Sequence, residues 1–269
     1  MFLCYNLFNM YLAIDIGATK TLIGLFSDHG HCLKRTKFLT NQNQNFFLAE
    51  LISNLKSFTN KNIHSVVIAV PAIVQKNYTF TPKNLSWQNF DLISPLKNVF
   101  SCEIFLLNDA DLATLYESGF YSGKTIYLTF STGIGGGIAN DGAILKSSAT
   151  FEPGHNLYSF NEQPLEWEKF ASAKALKTLF NQKVSKITQK SRLETIAYRL
   201  SIGLVDIIID QKPDTIIIGG PVGKITRKLH PFLENYLLNS NIKYCPKITP
   251  AKRPEESVIY GCYLYGKFH

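Results

Sequence analysis

The sequence predicts an α/β protein built as two lobes. Short apolar runs alternate with helix-period stretches, and the alternation passes through two successive cycles. Each cycle carries, near its start, a Gly/Thr-rich turn between two apolar strands. At 269 residues, against roughly 150 residues per domain, the chain is long enough for both lobes.

In the first cycle Tyr11–Ile16, Thr21–Phe26 and Cys32–Leu39 read as strands, with the Asp28-His29-Gly30 turn before the third. Asn45–Thr59 places Phe47, Leu48, Leu51, Ile52, Leu55 and Phe58 at helical spacing. Ser65–Val70 is a buried strand stopped by Pro71; Ile104–Leu107 is another, and a helix follows Asp109 to about Gly119. The second cycle opens with strands Thr125–Phe130 and Ile134–Ala139. Helices follow at Leu165–Phe180 and Glu194–Asp210, then the buried strand Thr215–Ile218 and a terminal helix, Glu255–Lys267. The turn bracketed by Gly119 and Gly123 predicts domains at residues 1–121 and 122–269, with the last helix able to return to the first lobe.

Composition excludes several classes. With 45% hydrophobic and 18% charged residues, the chain is neither disordered nor a coiled coil. Its 28 Lys+Arg against 20 Asp+Glu give a formal charge of +8, but the basic residues are scattered, which argues against nucleic acid. Five dispersed cysteines without a Cys-x-x-Cys pair point to a reducing, cytoplasmic setting. Met1–Ile16 is interrupted by Asn6, Asn9 and Asp15, so it reads as neither membrane span nor secretion signal. Residues 1–9 read as an extension, with Met10 an alternative start.

Four segments carry chemistry. In Asp15-Ile16-Gly17-Ala18-Thr19-Lys20, Gly17 permits a close backbone approach, Thr19 and Lys20 are phosphate donors, and Asp15 suits a magnesium-bound water. A polar hairpin reads the same way. In Ser131-Thr132-Gly133-Ile134-Gly135-Gly136-Gly137, the glycines let backbone N–H groups converge on an anion. The run is neither a P-loop nor a dinucleotide fingerprint. Asn108-Asp109-Ala110-Asp111 sits where a strand feeds a helix. Its acidic groups suit helix capping or, for Asp109, proton abstraction from a hydroxyl. Glu152-Pro153-Gly154-His155, followed by Glu168, forms a polar clamp for hydroxyls, whereas Glu166 reads as part of a solvated helix face.

Taken in order, these segments resemble the ROK sugar kinases of the actin/hexokinase ATPase superfamily. Residues 13–20 look like the family's first phosphate motif, and Asn84-Leu85-Ser86-Trp87 like the stretch before its catalytic strand. Asn108-Asp109-Ala110 looks like its catalytic motif, and residues 131–137 like its second phosphate loop. Glu152-x-Gly154-His155 and Glu168-Lys169-Phe170-Ala171-Ser172 are similar to its sugar segments, and Ile218-Gly219-Gly220 to its adenosine turn. Tyr260-Gly261-Cys262 resembles a step in its last helix.

The resemblance implies two actin-like (ribonuclease H-like) lobes with mixed sheets and a cleft between them. It implies Asp109 as general base on a sugar hydroxyl, and Asn84, Asn108, Glu152, His155 and Glu168 as sugar ligands. Asp15, Gly17, Thr19, Lys20, Thr132, Gly133 and Gly135 would line the phosphates of ATP, and Gly219 and Gly220 the adenosine. Magnesium would arrive with ATP, and a homodimer is compatible with the family. Many members carry a cysteine-rich zinc motif after the Glu-x-Gly-His turn. Here 156–168 has no cysteine and Glu166 stands at the last thiolate's place, so no zinc is expected. Ala72-Ile73 replace an expected Gly-Pro, and Pro221 follows Gly220 where a small residue is usual.

The resulting expectation is ATP-dependent phosphorylation of a hexose or N-acylhexosamine, with glucose as the first candidate and the 6-hydroxyl as acceptor. The alternatives are a non-catalytic sugar-responsive regulator and another actin-like ATPase.

Overall fold

The computed structural model describes residues 9–59, 61–74, 79–82, 85–240 and 242–269. Asn84 and nearly all of the expected extension at residues 1–9 lie outside them. The chain divides into two compact units, Met1–Ala113 with Val258–His269, and Thr114–Ser257. The division falls inside a helix rather than at the Gly119–Gly123 turn, and the last helix belongs with the first unit.

In the first unit β1 (Met10–Ile16), β2 (Lys20–Ser27) and β3 (Cys32–Leu39) form an antiparallel meander. Helix α1 (Gln44–Leu55) follows, capped by Asn43, whose side chain accepts from the Asn45 and Phe46 amides. A 3₁₀ turn, Lys56–Phe58, finishes the stretch predicted as one helix to Thr59. Strand β4 (Ile63–Val70) leads to the small β5 (Thr79–Phe80) and β6 (Phe90–Asp91) pair, helix α2 (Ile93–Lys97) and β7 (Glu103–Asn108). Helix α3 (Asp109–Ser118) starts at once. Among the described residues the sheet order is β3-β2-β1-β4-β7, with β4 parallel to both β1 and β7.

Strand alternation decides what each face of this sheet meets. Leu12, Ile14 and Ile16 face a core with α1 and the aromatic group Phe47, Phe80, Trp87 and Phe90. Tyr11 and Ala13 face the opposite core, made with Ile259, Cys262 and Tyr263 of the C-terminal helix, Ser257–Phe268. Asp15 is on that second face. The C-terminal helix sits close because it carries glycines: a Cβ on Gly261 would lie 1.8 Å from the Leu112 carbonyl oxygen. At Gly266, Ser65 Oγ donates to the glycine carbonyl at 3.0 Å.

The second unit repeats the plan. Strands β8 (Lys124–Phe130), β9 (Ile134–Asn140) and β10 (Ala143–Ile144) are antiparallel. A hairpin of β11 (Leu157–Phe160) and β12 (Gln163–Glu166) precedes helices α4 (Trp167–Ala171), α5 (Ala173–Phe180) and α6 (Lys190–Gln211). Then come β13 (Thr215–Gly219), α7 (Gly220–Gly223), α8 (Thr226–Leu238), β14 (Lys247–Pro250) and the C-terminal helix, α9. The order is β10-β9-β8-β13-β14, with β13 parallel to β8 and β14. The helix predicted over Leu165–Phe180 is three elements. Leu165 and Glu166 pair across the hairpin, and Ser172 takes an extended backbone while its side chain caps α5 through the Ala175 amide. Among the described residues no helix is long and apolar enough to cross a membrane.

Candidate functional site

The β1–β2 turn of the first unit is held by its own backbone and by one threonine. Gly17 N donates to Lys20 O at 3.0 Å, and a Cβ on Gly17 would lie 3.1 Å from that oxygen. Thr40, at the end of β3, donates its Oγ1 hydrogen to Gly17 O at 2.7 Å, and its backbone amide bonds Thr19 O. Thr21 Oγ1 lies 3.0 Å from Thr40 Oγ1 in a buried pair. Neither threonine stood out in the sequence. Thr19 and Lys20 are left exposed at the tip.

Asp15 lies at the root of this turn. Burial of its carboxyl raises the pKa to about 7, opposed by Lys37 of β3, which is in the same cross-strand row through Leu22. The Cys262 thiol of α9 is pushed well up by its own burial and then by the charges of Asp15 and Asp109. Both carboxylates are therefore within electrostatic range of one point on α9. A carboxylate with so little opposing positive charge suits a cation delivered with an anionic ligand.

Asp109 stands at the β7–α3 junction, where capping and chemistry compete as explanations. Asn108 does the capping: its Oδ1 accepts from the Ala110 and Asp111 amides at 2.8 and 3.1 Å. Asn108 Nδ2 also donates to the Ala72 carbonyl at 3.3 Å, so the residue expected as a sugar ligand has most of its amide engaged inside the protein. Asp109 is half-buried, with Oδ1 2.8 Å from the Ala110 amide.

In the second unit the expected glycine nest takes another form. Only Ser131-Thr132-Gly133 make the β8–β9 turn, closed by Ser131 N donating to Gly133 O at 2.9 Å. Gly135, Gly136 and Gly137 belong to β9, opposite Thr129, Leu128 and Tyr127. Their backbone is in a strand ladder rather than converging on an anion, and glycine serves packing there. A Cβ on Gly136 would meet the Phe151 ring at 2.7 Å, and one on Gly137 would meet Thr114 Oγ1 at 2.3 Å.

The residues expected to form a sugar clamp lie beside this turn. A Cβ on Gly133 would lie 2.4 Å from Glu168 Oε2, and one on Gly154 would lie 2.2 Å from the Ile134 carbonyl oxygen. His155, Glu166 and Glu168 thus come together, with potential ligand atoms all within 4.8 Å of one another. His155 Nδ1 is 3.4 Å from Glu166 Oε1, and Lys169 Nζ lies 3.2 Å from Glu166 Oε2 and 3.0 Å from Glu168 Oε1. Lys169 first, then His155, hold the Glu166 carboxyl below the usual range. Glu166 is thus not a solvated helix residue: it ends β12 and faces the histidine. Glu152 shares the His155 turn, through its carbonyl, but its side chain is exposed.

On the other side of the turn, Gly219 and Gly220 link β13 to α7. A Cβ on Gly219 would be 2.1 Å from Tyr127 Oη; Gly220 has φ +65°, and a Cβ there would lie 2.4 Å from the Phe130 carbonyl oxygen. Pro221 is accommodated in the first turn of α7. Gly220 N donates to Pro254 O at 2.8 Å, and the Pro254 segment is braced by Glu117. That fully buried carboxylate accepts from the Lys252 and Arg253 amides and from Ser257 Oγ at 2.7, 3.0 and 2.7 Å. No local pattern in the sequence pointed to Glu117.

The model of the ROK family matches residues 11–265. A fructokinase of Lactococcus lactis subsp. cremoris is 23% identical over 286 residues, covering 94% of this chain and 96% of the relative. A xylose repressor of Bacillus spizizenii is 29% identical over 179 residues, covering 56% of this chain and 46% of the repressor. The match therefore spans under half the repressor's length. Among solved structures, a ROK family glucokinase from Streptomyces griseus, in complex with glucose and AMPPNP, superposes with a TM-score of 0.82 at 18% identity. That superposition covers 97% of this chain and all of the glucokinase, 100%.

Proposed function

The chain belongs to the ROK family, and from that membership we propose that it is a sugar kinase. It transfers the terminal phosphoryl group of ATP to a hydroxyl of a hexose or N-acylhexosamine, with glucose as first candidate and the 6-hydroxyl as acceptor. The observation that carries this reading is the β7–α3 junction. Asn108 Oδ1 caps the helix through the Ala110 and Asp111 amides, and the neighbouring Asp109 carboxylate, which also accepts from the Ala110 amide at 2.8 Å, supports this reading as the candidate base at the strand exit.

Asp109 accepts the hydroxyl proton as the sugar oxygen bonds to phosphorus and the bond to the departing ADP oxygen breaks. His155 and Glu168 bind sugar hydroxyls, supported by Glu152 from the same turn and by the remaining Asn108 N–H. The turn at Gly17, Thr19 and Lys20 and the turn at Thr132 and Gly133 bind phosphate oxygens, while the β13–α7 turn at Gly219 and Gly220 meets the adenosine. Magnesium, when bound with ATP, neutralises phosphate charge, and Asp15 is the carboxylate suited to hold one of its waters.

ADP release coupled to a hexose panel, with ATP and magnesium, tests the reading. Wild-type protein turns over at least one hexose, and Asp109→Asn lowers kcat by about 10²–10⁴-fold while sugar affinity is retained. Sugar-independent ADP release alone, or an undiminished Asp109→Asn variant, overturns it. The similarity to xylose repressors supports a second reading, a sugar-responsive regulator without turnover. Calorimetric sugar binding in the absence of any ADP release would favour that one.

A further inference from the structure

We propose that Glu166, held by Lys169, is the positioning residue that fixes His155 as its Nδ1–H tautomer and so makes Nε2 a hydrogen-bond acceptor for a substrate hydroxyl. The tautomer rests on geometry in the second unit alone; the hydroxyl rests on the kinase reading above.

Three observations place Glu166 for this work. The hairpin register sets Glu166 opposite Leu157, two residues after His155, and Trp167 N donates to Asn156 O at 2.9 Å, clamping the hairpin's open end beside the histidine. Glu166 Oε1 then lies 3.4 Å from His155 Nδ1. Its other oxygen is 3.2 Å from Lys169 Nζ, which also lies 3.0 Å from Glu168 Oε1. A single ammonium thus ties the carboxylate behind the histidine to the carboxylate packed on Gly133.

The chemistry follows from donor and acceptor counts. A neutral imidazole has one N–H and one bare nitrogen, and an ionised carboxylate only accepts. With Glu166 ionised, the proton belongs on Nδ1 and the lone pair on Nε2. A histidine without such a partner prefers the Nε2–H form, which would donate to a hydroxyl oxygen instead. Glu166 therefore sets the sense of the hydrogen bond, a determinant of which hydroxyl orientation the pocket accepts. His155, Glu166 and Glu168 are also a set that could hold a metal ion. Lys169 already brings a positive charge to both carboxylates, and a zinc ion on Nδ1 would have to displace the proton the proposal places there.

The test uses full-length protein labelled with ¹⁵N-histidine, whose tautomers are read from long-range ¹H–¹⁵N correlations at pH 8, with His155→Gln identifying the signal. The expected result is Nδ1–H for His155, retained in Glu166→Gln, whose amide oxygen still accepts, and shifted toward Nε2–H in Glu166→Ala. Equimolar zinc leaves the wild-type signal in place. For the kinase, Glu166→Ala raises the sugar KM about tenfold, equivalent to about 1.4 kcal/mol, with kcat within about twofold, and Glu166→Gln restores most of the loss. An Nε2–H wild type, an unchanged tautomer in Glu166→Ala, or loss of the Nδ1–H signal to zinc overturns the proposal. If no sugar is turned over, the kinase reading fails while the tautomer result still decides this one.

Discussion

The two five-stranded sheets share one topology: three antiparallel strands, with two parallel strands added beside the first of them. Each has a hairpin between its first two strands and parallel-strand exits on the far side of the first, yet the two units furnish these regions differently. In the first unit the hairpin root and the strand exit carry carboxylates, Asp15 and Asp109. In the second the nearby positions carry glycines, Gly133 in the β8–β9 turn and Gly219–Gly220 at the exit of β13, the strand that corresponds to β4. One copy carries charge and the other leaves room for its own packing: a Cβ on Gly133, Gly219 or Gly220 would meet Glu168 Oε2, Tyr127 Oη or the Phe130 carbonyl oxygen. The same backbone frame therefore accommodates two kinds of function, provided each side chain is set by what packs behind it rather than by the frame.

The largest effect that sharpens this contrast comes from adding one methyl group to each turn. Gly220→Ala forces a Cβ into left-handed backbone, 2.4 Å from the Phe130 carbonyl oxygen, where only main chain could yield. A loss of about 3 kcal/mol or more is expected, seen as a thermal midpoint lowered by on the order of 10 °C. Gly17→Ala meets only the Lys20 oxygen at 3.1 Å, without a positive φ, and is expected to cost under about 1 kcal/mol. Equal losses in the two variants would mean that room is no more demanded at the β13–α7 junction than in the β1–β2 hairpin.

What could be read beforehand follows the same division. Strands such as β1 and β4 declared themselves through apolar runs and alternation, and the Asn108-Asp109 exit through polar residues at a strand's end, because those signals are local. The glycines at 135–137 were visible, but composition cannot separate a glycine needed for its dihedral angles from one needed because Thr114 or Phe151 occupies the space. Glu117 escaped notice because the amides it satisfies lie 135 and 136 residues away. Glu166 was visible but read as a solvated helix face for a related reason: its meaning depends on a hairpin register, and the helix-like spacing after Leu165 masked the break at Ser172.

A smaller effect probes the charged copy. Asp15 has its pKa raised to about 7 by burial, against about 3.9 in an unfolded chain. The folded protein therefore holds this proton more tightly than the unfolded one. That preference contributes stability in full below the unfolded pKa and loses it progressively as pH rises through 7. Asp15→Asn, which cannot ionise, is expected to raise the thermal midpoint at pH 8 by roughly 2–4 °C, the equivalent of about 1 kcal/mol in a protein of this size. Near pH 4 the gain should vanish. A gain of the same size at both pH values would place its origin in packing rather than ionisation, and would remove the argument that this carboxylate awaits a cation.

The smallest effect on stability should be the most informative about the glycine copy. Gly133→Ala places its Cβ 2.4 Å from Glu168 Oε2, but that atom is the end of a side chain and can swing aside. The midpoint should therefore move by less than about 2 °C, whereas the displaced carboxylate also leaves Lys169, which it meets at 3.0 Å. If Glu168 binds a sugar hydroxyl, sugar KM rises about threefold to tenfold, a change of about 0.7–1.4 kcal/mol, with the KM for ATP unchanged. A rise confined to ATP would assign Gly133 to the phosphates alone. Room at this turn would then serve the nucleotide, and the link from the turn through Glu168 and Lys169 to Glu166 would have no part in recognising the sugar.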